Sequence, residues 1–392
     1  MNIALIDLPD LRPKLFPFAL TRPIGTFRVG ILTIQEKWQH YLNTSVDVIT
    51  SDPLINAKYQ QYQQYDLVIN ATILPDQALA DSIDELQFGQ SLCKEGYFIA
   101  SRFETSKLPL DTSTTIKNEY LGEISFLDRT WDIFLKNEEE ISKDFKCLTQ
   151  NKKSYSIIDP HTIVYGADNV FLAQGASVRA SIINAEKGPV YLDENSEIQE
   201  GCVIKGPFYL GKGSKINAGA VIREGCSFGP SCKVGGEVSN AIIFANSNKA
   251  HDGFLGNAVI GEFCNLGAAT NCSNLKNNYE EVKMYDYVQE RFIASGLQFC
   301  GLMMGDHSKS AIGTLFNTGT TVGAHCNVFG SGFPKTFIPS FSWGGSGHMV
   351  TYTFDRAMQT AEKVMARRDV ELTETDRSIF QSIFEASSKL RS

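Results

Sequence analysis

From Leu192 onward an aliphatic or aromatic side chain returns at every sixth position: Leu192, Ile198, Ile204, Leu210, Ile216, Ile222, Phe228 and Val234. The phase then slips. It resumes at Ile260 and Leu266, each followed by glycine, and again at Met304, Phe316, Val322 and Val328, with Ser310 in the intervening place. Neither a helix of period 3.6 nor a strand of period 2 produces this spacing. A parallel β-helix does, because each flat side takes one inward aliphatic while the Gly, Asn, Ser and Cys between them suit the corners. Such a rod buries its sides by stacking coil on coil, and its ends need covering.

The rest of the chain sorts into two further regions. Residues 1–150 predict an α/β domain, with IALID, VDVIT and DLVINAT as strands. ILTIQEKWQHYL between them carries Ile31, Ile34, Trp38, Tyr41 and Leu42 at helical spacing. Alternating strands and helices predict a parallel sheet. QNKKSYS, from Gln150, reads as a linker, and the rod is expected over residues 157–348. Residues 354–391 are expected to be helical: Met358, Ala361, Val364 and Met365 form one stripe, Ile379, Ile383 and Phe384 another. A threonine in TETD is positioned to cap the second helix, and the pair is expected to close the last coil of the rod.

Composition narrows the class of function. A length of 392 residues suits two or three domains, and 43% apolar with 20% charged residues is ordinary for a globular protein. The net charge of −8 and the lack of a basic stretch argue against nucleic-acid partners. Phosphorylated small molecules stay open, since a few local cations suffice for them. Nine scattered cysteines without a C-x-x-C pair argue against a disulfide framework or a zinc site and for a reducing compartment. The start MNIALIDLPD lacks the features of a signal peptide, and no apolar run is long enough for a membrane span. A cytoplasmic location without membrane association is the expectation.

The segment NKAHDGFLGNAVIGEFCNLGAATNCSNLKNNY, with SGLQFCGLMMGDHSKSAIGTLFNTGTTVG after it, resembles the acetyltransferase half of the GlmU-like bifunctional sugar-1-phosphate nucleotidylyltransferases. The second stretch looks like the archaeal branch, and the short N-terminal domain resembles that of GlmU-like proteins of Bacteroidetes. The resemblance implies a left-handed β-helix, a homotrimer with active sites in the clefts between subunits, acetyl-CoA as acyl donor and an aminosugar 1-phosphate as acceptor. It also implies coupling to nucleotidyl transfer from UTP or dTTP, giving a UDP- or dTDP-sugar, with Mg²⁺ needed only if the N-terminal domain is active. The opposing reading is a non-catalytic nucleotide- or sugar-binding scaffold or sensor that keeps the fold.

Acetyl transfer to an amine needs a base for the amine proton, stabilisation of the thioester oxygen, and alignment of both substrates. By resemblance His251 is the base, in a chemistry that suits a neutral imidazole. The alternative for it is a solvated turn histidine. Asn274 matches an asparagine whose amide offers both a donor and an acceptor. Arg223 matches an arginine that binds the sugar phosphate, and a guanidinium holds phosphate through two parallel hydrogen bonds. Lys283 matches a lysine able to reach a phosphate of either substrate. Two departures bear on the acceptor: Phe254 stands where the family has tyrosine, and Ser239 to Ala241 occupy the place of a phosphate-binding lysine. The small-residue wall from Ala311 to Thr321 is expected, again by resemblance, to line the pantetheine arm. His307 and His325 fall at repeat corners without a spacing that predicts metal binding.

In the N-terminal domain RPKLFPFALTRPI keeps part of the nucleotidylyltransferase opening, with Pro13, Lys14, Pro17 and Pro23 in place. Lys14 is expected to meet a phosphate, with Arg22 or Arg28 adding charge. The glycine-rich phosphate loop is missing between Ile6 and Arg12, and VINAT lacks the Mg²⁺-binding aspartate. Asp76 is the nearest substitute. The N-terminal domain is therefore either a transferase with altered parts or a binding remnant.

Overall fold

The computed structural model describes residues 1–62, 64–106 and 115–391. Leu192, Ile198, Ile204, Leu210, Ile216, Ile222, Phe228 and Val234 are all fully buried, inside a parallel β-helix. Its strands are two or three residues long in the regular coils, and each pairs with its equivalent in the next coil. On the second face, for example, Glu197–Ile198 lies beside Lys215–Ile216, and this beside Lys233–Val234. The inward row also begins earlier than the period-six run, with Leu172, Val178 and Ile183.

The slip after Val234 has a simple geometric origin. Val221 stands beside Glu237, and Glu237 beside Phe254, so the coils here are shorter than the regular ones. Corners are shaved, and Glu237–Ile243 and Phe254–Ile260 each run on from the third face to the first as one longer strand. Val238, Ile243 and Leu255 still point inward, but the fixed period no longer finds them. Ser310 holds an inward place, where its hydroxyl bonds that of Thr270 at 2.9 Å. A polar group buried in that position needs such a partner.

The N-terminal unit has strands β1 (Ile3–Ile6), β2 (Val46–Ile49), β3 (Tyr65–Asn70), a short β4 (Ile73–Leu74), β5 (Gln90–Lys94), β6 (Tyr97–Ser106), β7 (Ile116–Glu119) and β8 (Ser125–Phe126). Between them lie α1 (Ile34–Leu42), α2 (Pro53–Tyr59) and α3 (Gln77–Asp84), and α4 (Asp132–Thr149) follows. The main sheet has the order β2-β1-β3-β6-β5-β7. The expected parallel pairing holds for β2, β1 and β3 and again for β5 with β7, but β6 between them runs antiparallel to both β3 and β5. The reason is a tight turn: Glu95 and Gly96 both adopt positive φ (48° and 80°), which matches the twist of a hairpin and reverses the chain at once.

This unit is seated on the first face of the rod. Phe18, Phe27 and Phe134 share one apolar core with Ile242, Phe244, Val259 and Met303. Asn137 of α4 donates to the carbonyl of Gly225 at 2.9 Å, and Phe145 meets Tyr191 edge-on. The segment after α4 then enters the first coil.

Helices α5 (Phe354–Ala366) and α6 (Glu374–Ala386) follow the rod. Thr373 caps α6 in a reciprocal capping box with Asp376. The helices do more than close the last coil. Ala357, Met358, Ala361, Met365, Ile379, Phe380 and Ile383 pack with Phe263 and Phe341 at a corner of several coils and with Ile55 of α2. Lys58 of α2 reaches Asp376 at 2.7 Å, so the C-terminal helices touch the N-terminal unit as well as the rod. No helix among the described residues is long and apolar enough to cross a membrane.

Candidate functional site

His251 sits on the corner between the second-face strand Asn248–Lys249 and the third-face start of Phe254–Ile260. It is exposed, and its imidazole makes no hydrogen bond among the described residues. The corner itself is tied down. Asn217 donates to the carbonyl of Ala250 at 2.7 Å, and Asn271 accepts from the backbone N–H of Phe254 at 2.9 Å.

The outward positions of the third face run from this corner across successive coils. Arg223 lies there and pairs with Glu237 at 2.7 Å, both of them about half exposed. Glu237 is in register with Phe254. A methyl group added at Gly256 would fall 2.6 Å from the Phe254 ring and 2.7 Å from the Asn274 amide nitrogen. Glycine is therefore what lets that ring and that amide approach one another. Asn274 in turn donates to Asn257 at 2.8 Å. Ser239, from the stretch where the resemblance leads one to look for a lysine, pairs in register with Gly256. Arg223, Phe254 and Asn274 thus share one face of the rod, beside the corner of His251.

Other expected residues lie elsewhere. Lys283 opens a hairpin, Lys283–Asp286 against Arg291–Ala294, in the stretch between Cys272 and Met303, and the hairpin packs back through Met284 and Asp286. Lys283 itself is exposed, and no hydrogen bond or ion pair joins its side chain to His251 among the described residues. Ala311 follows Ser310 on the same corner as His251, two coils on. Thr321, 2% exposed, is on the first face, beside Met303 and Phe337. Ala311 and Thr321 therefore do not line one wall.

His307 and His325 do form a constellation, of a kind the sequence did not suggest. The rings of Phe263, His307, His325 and Phe341 stack in that order along one corner, at 5.0, 4.6 and 4.8 Å. All four residues have positive φ, between 54° and 60°. Phe380 of α6 packs edge-on against both imidazoles. Burial pushes both histidines well below the ordinary imidazole range, and Lys309 adds to the effect. Among the described residues no cluster of His, Cys, Asp and Glu is arranged to hold a metal ion.

At the C-terminal edge of the N-terminal sheet, the space after β1 is filled by the chain itself. Asp7 pairs with Arg12 and accepts from the N–H of Ile24 at 3.0 Å, and burial pushes its carboxyl up to about 6. Arg12 also donates to the carbonyls of Ala19 and Arg22. Lys14 binds Asp128 at 2.8 Å and stays partly exposed. Arg22, expected to add charge for a phosphate, instead bridges to the rod: it holds Asp306 and Glu262, each at 2.5 Å, and is itself buried. Arg28 donates to the carbonyl of Ile31 and lies over the Tyr209 ring of the rod at 5.3 Å. Asp76 caps α3 by accepting from Leu79 N–H at 2.8 Å. Asn70 accepts from Thr72 and donates to Phe98.

The comparisons with known proteins agree with this two-part construction. Residues 3–153 match the family model described as sugar nucleotidyl transferase. A bifunctional sugar-1-phosphate nucleotidylyltransferase/acetyltransferase of Sulfurisphaera tokodaii is 32% identical over 179 residues, which is 45% of this chain and 43% of that protein. The bifunctional protein GlmU of Methanocaldococcus jannaschii is 33% identical over 90 residues, 23% of this chain and 21% of that protein. The chain thus spans less than half the length of the curated relatives it matches. A crystal structure of the polySia specific acetyltransferase NeuO aligns with 50% of this chain and 86% of its own, at 10% identity and a TM-score of 0.28, a likeness too slight to bear on function. The N-terminal part of the chain is thus similar to sugar nucleotidyl transferases, and the chain is similar over parts of its length to bifunctional proteins of the GlmU type.

Proposed function

We propose that the rod transfers an acetyl group from acetyl-CoA to the amine of an aminosugar 1-phosphate, with His251 as the general base. The observation that carries this reading is the placement of His251. Its imidazole stands free at a corner beside a face that carries Arg223 and Asn274. Asn274 offers a donor and an acceptor to the sugar's nitrogen substituent. The guanidinium of Arg223 can exchange the exposed carboxylate of Glu237 for a phosphate, a geometry it suits better. Acetyl-CoA supplies the thioester, and Ala311, on the same corner two coils on, is the residue this chain offers to its pantetheine arm.

Assembly as a trimer accompanies this proposal. Ile163, Ile182, Val203 and Val221 form a register-matched outward row on the third face, and Ile163, Ile182 and Val221 are 50%, 37% and 38% exposed. A second copy packed there would convert the open corner of His251 into a cleft, where exclusion of water strengthens every electrostatic contact.

For the N-terminal unit a different reading has the better support: it binds or docks rather than transfers a nucleotidyl group. Asp7 and Arg12 fill the place of a phosphate loop, and Arg22 holds the rod. Asp7 is buried against Arg12 and Asp76 is engaged as the cap of α3, so neither fits a divalent metal ion.

One assay panel tests both halves. Acceptor-dependent release of coenzyme A thiol, run across aminosugar 1-phosphates, is expected from the wild type. It should fall on the order of 10²–10⁴-fold in His251→Ala, the usual worth of a general base. An unaffected variant, or a wild type silent with every acceptor, would sink the acetyl-transfer reading. In the second arm, UTP, Mg²⁺ and an acetylated sugar phosphate are expected to release no pyrophosphate; steady release would restore the N-terminal unit as a transferase.

A further inference from the structure

The inward column on the second face of the rod reads Val178, Ile198, Ile216, Val234, Lys249, Leu266, Ser310 and Val328. One member is a lysine. Lys249 takes the place that Val234 holds in the coil before, and it is 2% exposed. Among the described residues its ammonium makes no ion pair with a carboxylate, and Asp252 acts on it only through space. It donates instead to two backbone carbonyls, that of Gly235 at 2.9 Å and that of His251 at 2.6 Å. A methyl group built on Gly236 would stand 2.9 Å from Nζ and 2.9 Å from the His251 oxygen, so glycine is needed for the three to meet.

An aliphatic side chain would fill this column without removing a charge from water, and burial does push the Lys249 amine down, to about 8. The core gains nothing from the ammonium that Val234 does not supply in the neighbouring coil. What the ammonium touches explains its presence. It joins two successive corners, and one of its two acceptors is the carbonyl of the residue proposed as base. Among the described residues the His251 side chain makes no hydrogen bond, so the direction of its imidazole depends on the backbone that carries it.

We infer that Lys249 is a positioning residue, whose amine, anchored inside the rod, clamps the backbone carbonyl of His251 and thereby sets where the imidazole stands at the corner. The inference rests on the reading of His251 as base, and its test separates the two.

The test is Lys249→Met in the full chain, with Lys249→Gln beside it. Methionine fills the column without a donor, whereas glutamine keeps an amide donor without the charge. The clamp predicts that stability and activity part company. For Lys249→Met the thermal midpoint should hold or rise, since a desolvated charge is gone. Meanwhile kcat for acetyl transfer should fall on the order of 10²-fold with KM little changed, the signature of a misplaced catalytic group. Lys249→Gln should fall between it and the wild type. The His251 ring resonance in a proton–carbon NMR spectrum, assigned by its loss in His251→Ala, should shift in Lys249→Met. That readout needs no activity, so it decides the clamp even if the wild type transfers no acetyl group. An unmoved resonance, or an unchanged kcat in an active protein, overturns the inference. So does a Lys249→Met protein that melts lower or fails to fold, because Lys249 would then serve the core alone.

Discussion

Histidine shows how far a single residue can be read. His251 and His325 each lie in a short polar context within a repeat, yet one is free at a corner and the other lies inside a stack of rings. The difference comes from what covers the corner, namely Phe380 of α6, and that is not a local property. It has a measurable consequence. Nδ1 of His307 and Nε2 of His325 are buried without hydrogen-bond partners among the described residues. Besides burial, His325 acts on His307, followed by Lys309, Arg22 and Lys58, and Lys309 acts on His325, all in the direction that disfavours an imidazolium. Both imidazoles are therefore neutral in the folded chain at pH values where the unfolded chain binds protons. For a base whose folded pKa is depressed, stability is complete above the unfolded value, about 6.5, and falls as the pH drops below it. His325→Phe continues the rings of Phe263 and Phe341 and removes one such proton. It should lessen the acid loss of stability by up to about 1.4 kcal/mol per pH unit, while changing little at pH 8. Denaturation curves between pH 4 and 8 (roughly the span set by the imidazole range) check this, and an unaltered acid limb would contradict it.

At the scale of elements, the regular coils were open to sequence reading and the shortened ones were not. A fixed period reports inward positions only while every corner has the same length. Once corners are shaved between Val234 and Ile260, Val238, Ile243, Lys249 and Leu255 drop out of phase, although they still point inward. The capping box of Thr373 was legible because it depends on residues three apart. The outward row Ile163, Ile182, Val203 and Val221 was not, because it forms only when coils stack in register. Here Ile182→Asp should leave the coil intact, since the side chain points outward, and should oppose packing of a second copy. Sedimentation or light scattering is expected to give the mass of three chains for the wild type and of one for the variant. A wild type that runs as a single chain would remove the trimer and the cleft with it.

For the molecule as a whole, the seam between the N-terminal unit and the rod decides how the chain's charges are used. Arg22 and Thr21 converge on Asp306, and Arg22 also holds Glu262. Burial disfavours the Arg22 charge, but the two carboxylates outweigh it and keep the guanidinium protonated. Removing one partner of such a group leaves an uncompensated buried charge. Arg22→Met should therefore cost about 3–5 kcal/mol. Arg22→Met with Asp306→Asn should cost less than the sum of the two single changes. Chemical denaturation of the four proteins measures this. Additive losses would mean that the ion pair does not hold the seam.

By itself the sequence determined what repeats and what is local: the β-helix with its inward row, the first strands and helices, the caps, and the motif around His251. These follow from side-chain spacing and backbone preference, which act between residues close in the chain. The tertiary structure alone decided which charges meet. It assigned Arg22 to Asp306 rather than to a phosphate, hid His307 and His325 beneath a helix from the far end of the chain, and turned Lys249 into the core toward the carbonyl of His251. Those outcomes depend on which surfaces come together and exclude water. Electrostatic partners are set by that burial, and no spacing along the chain records it.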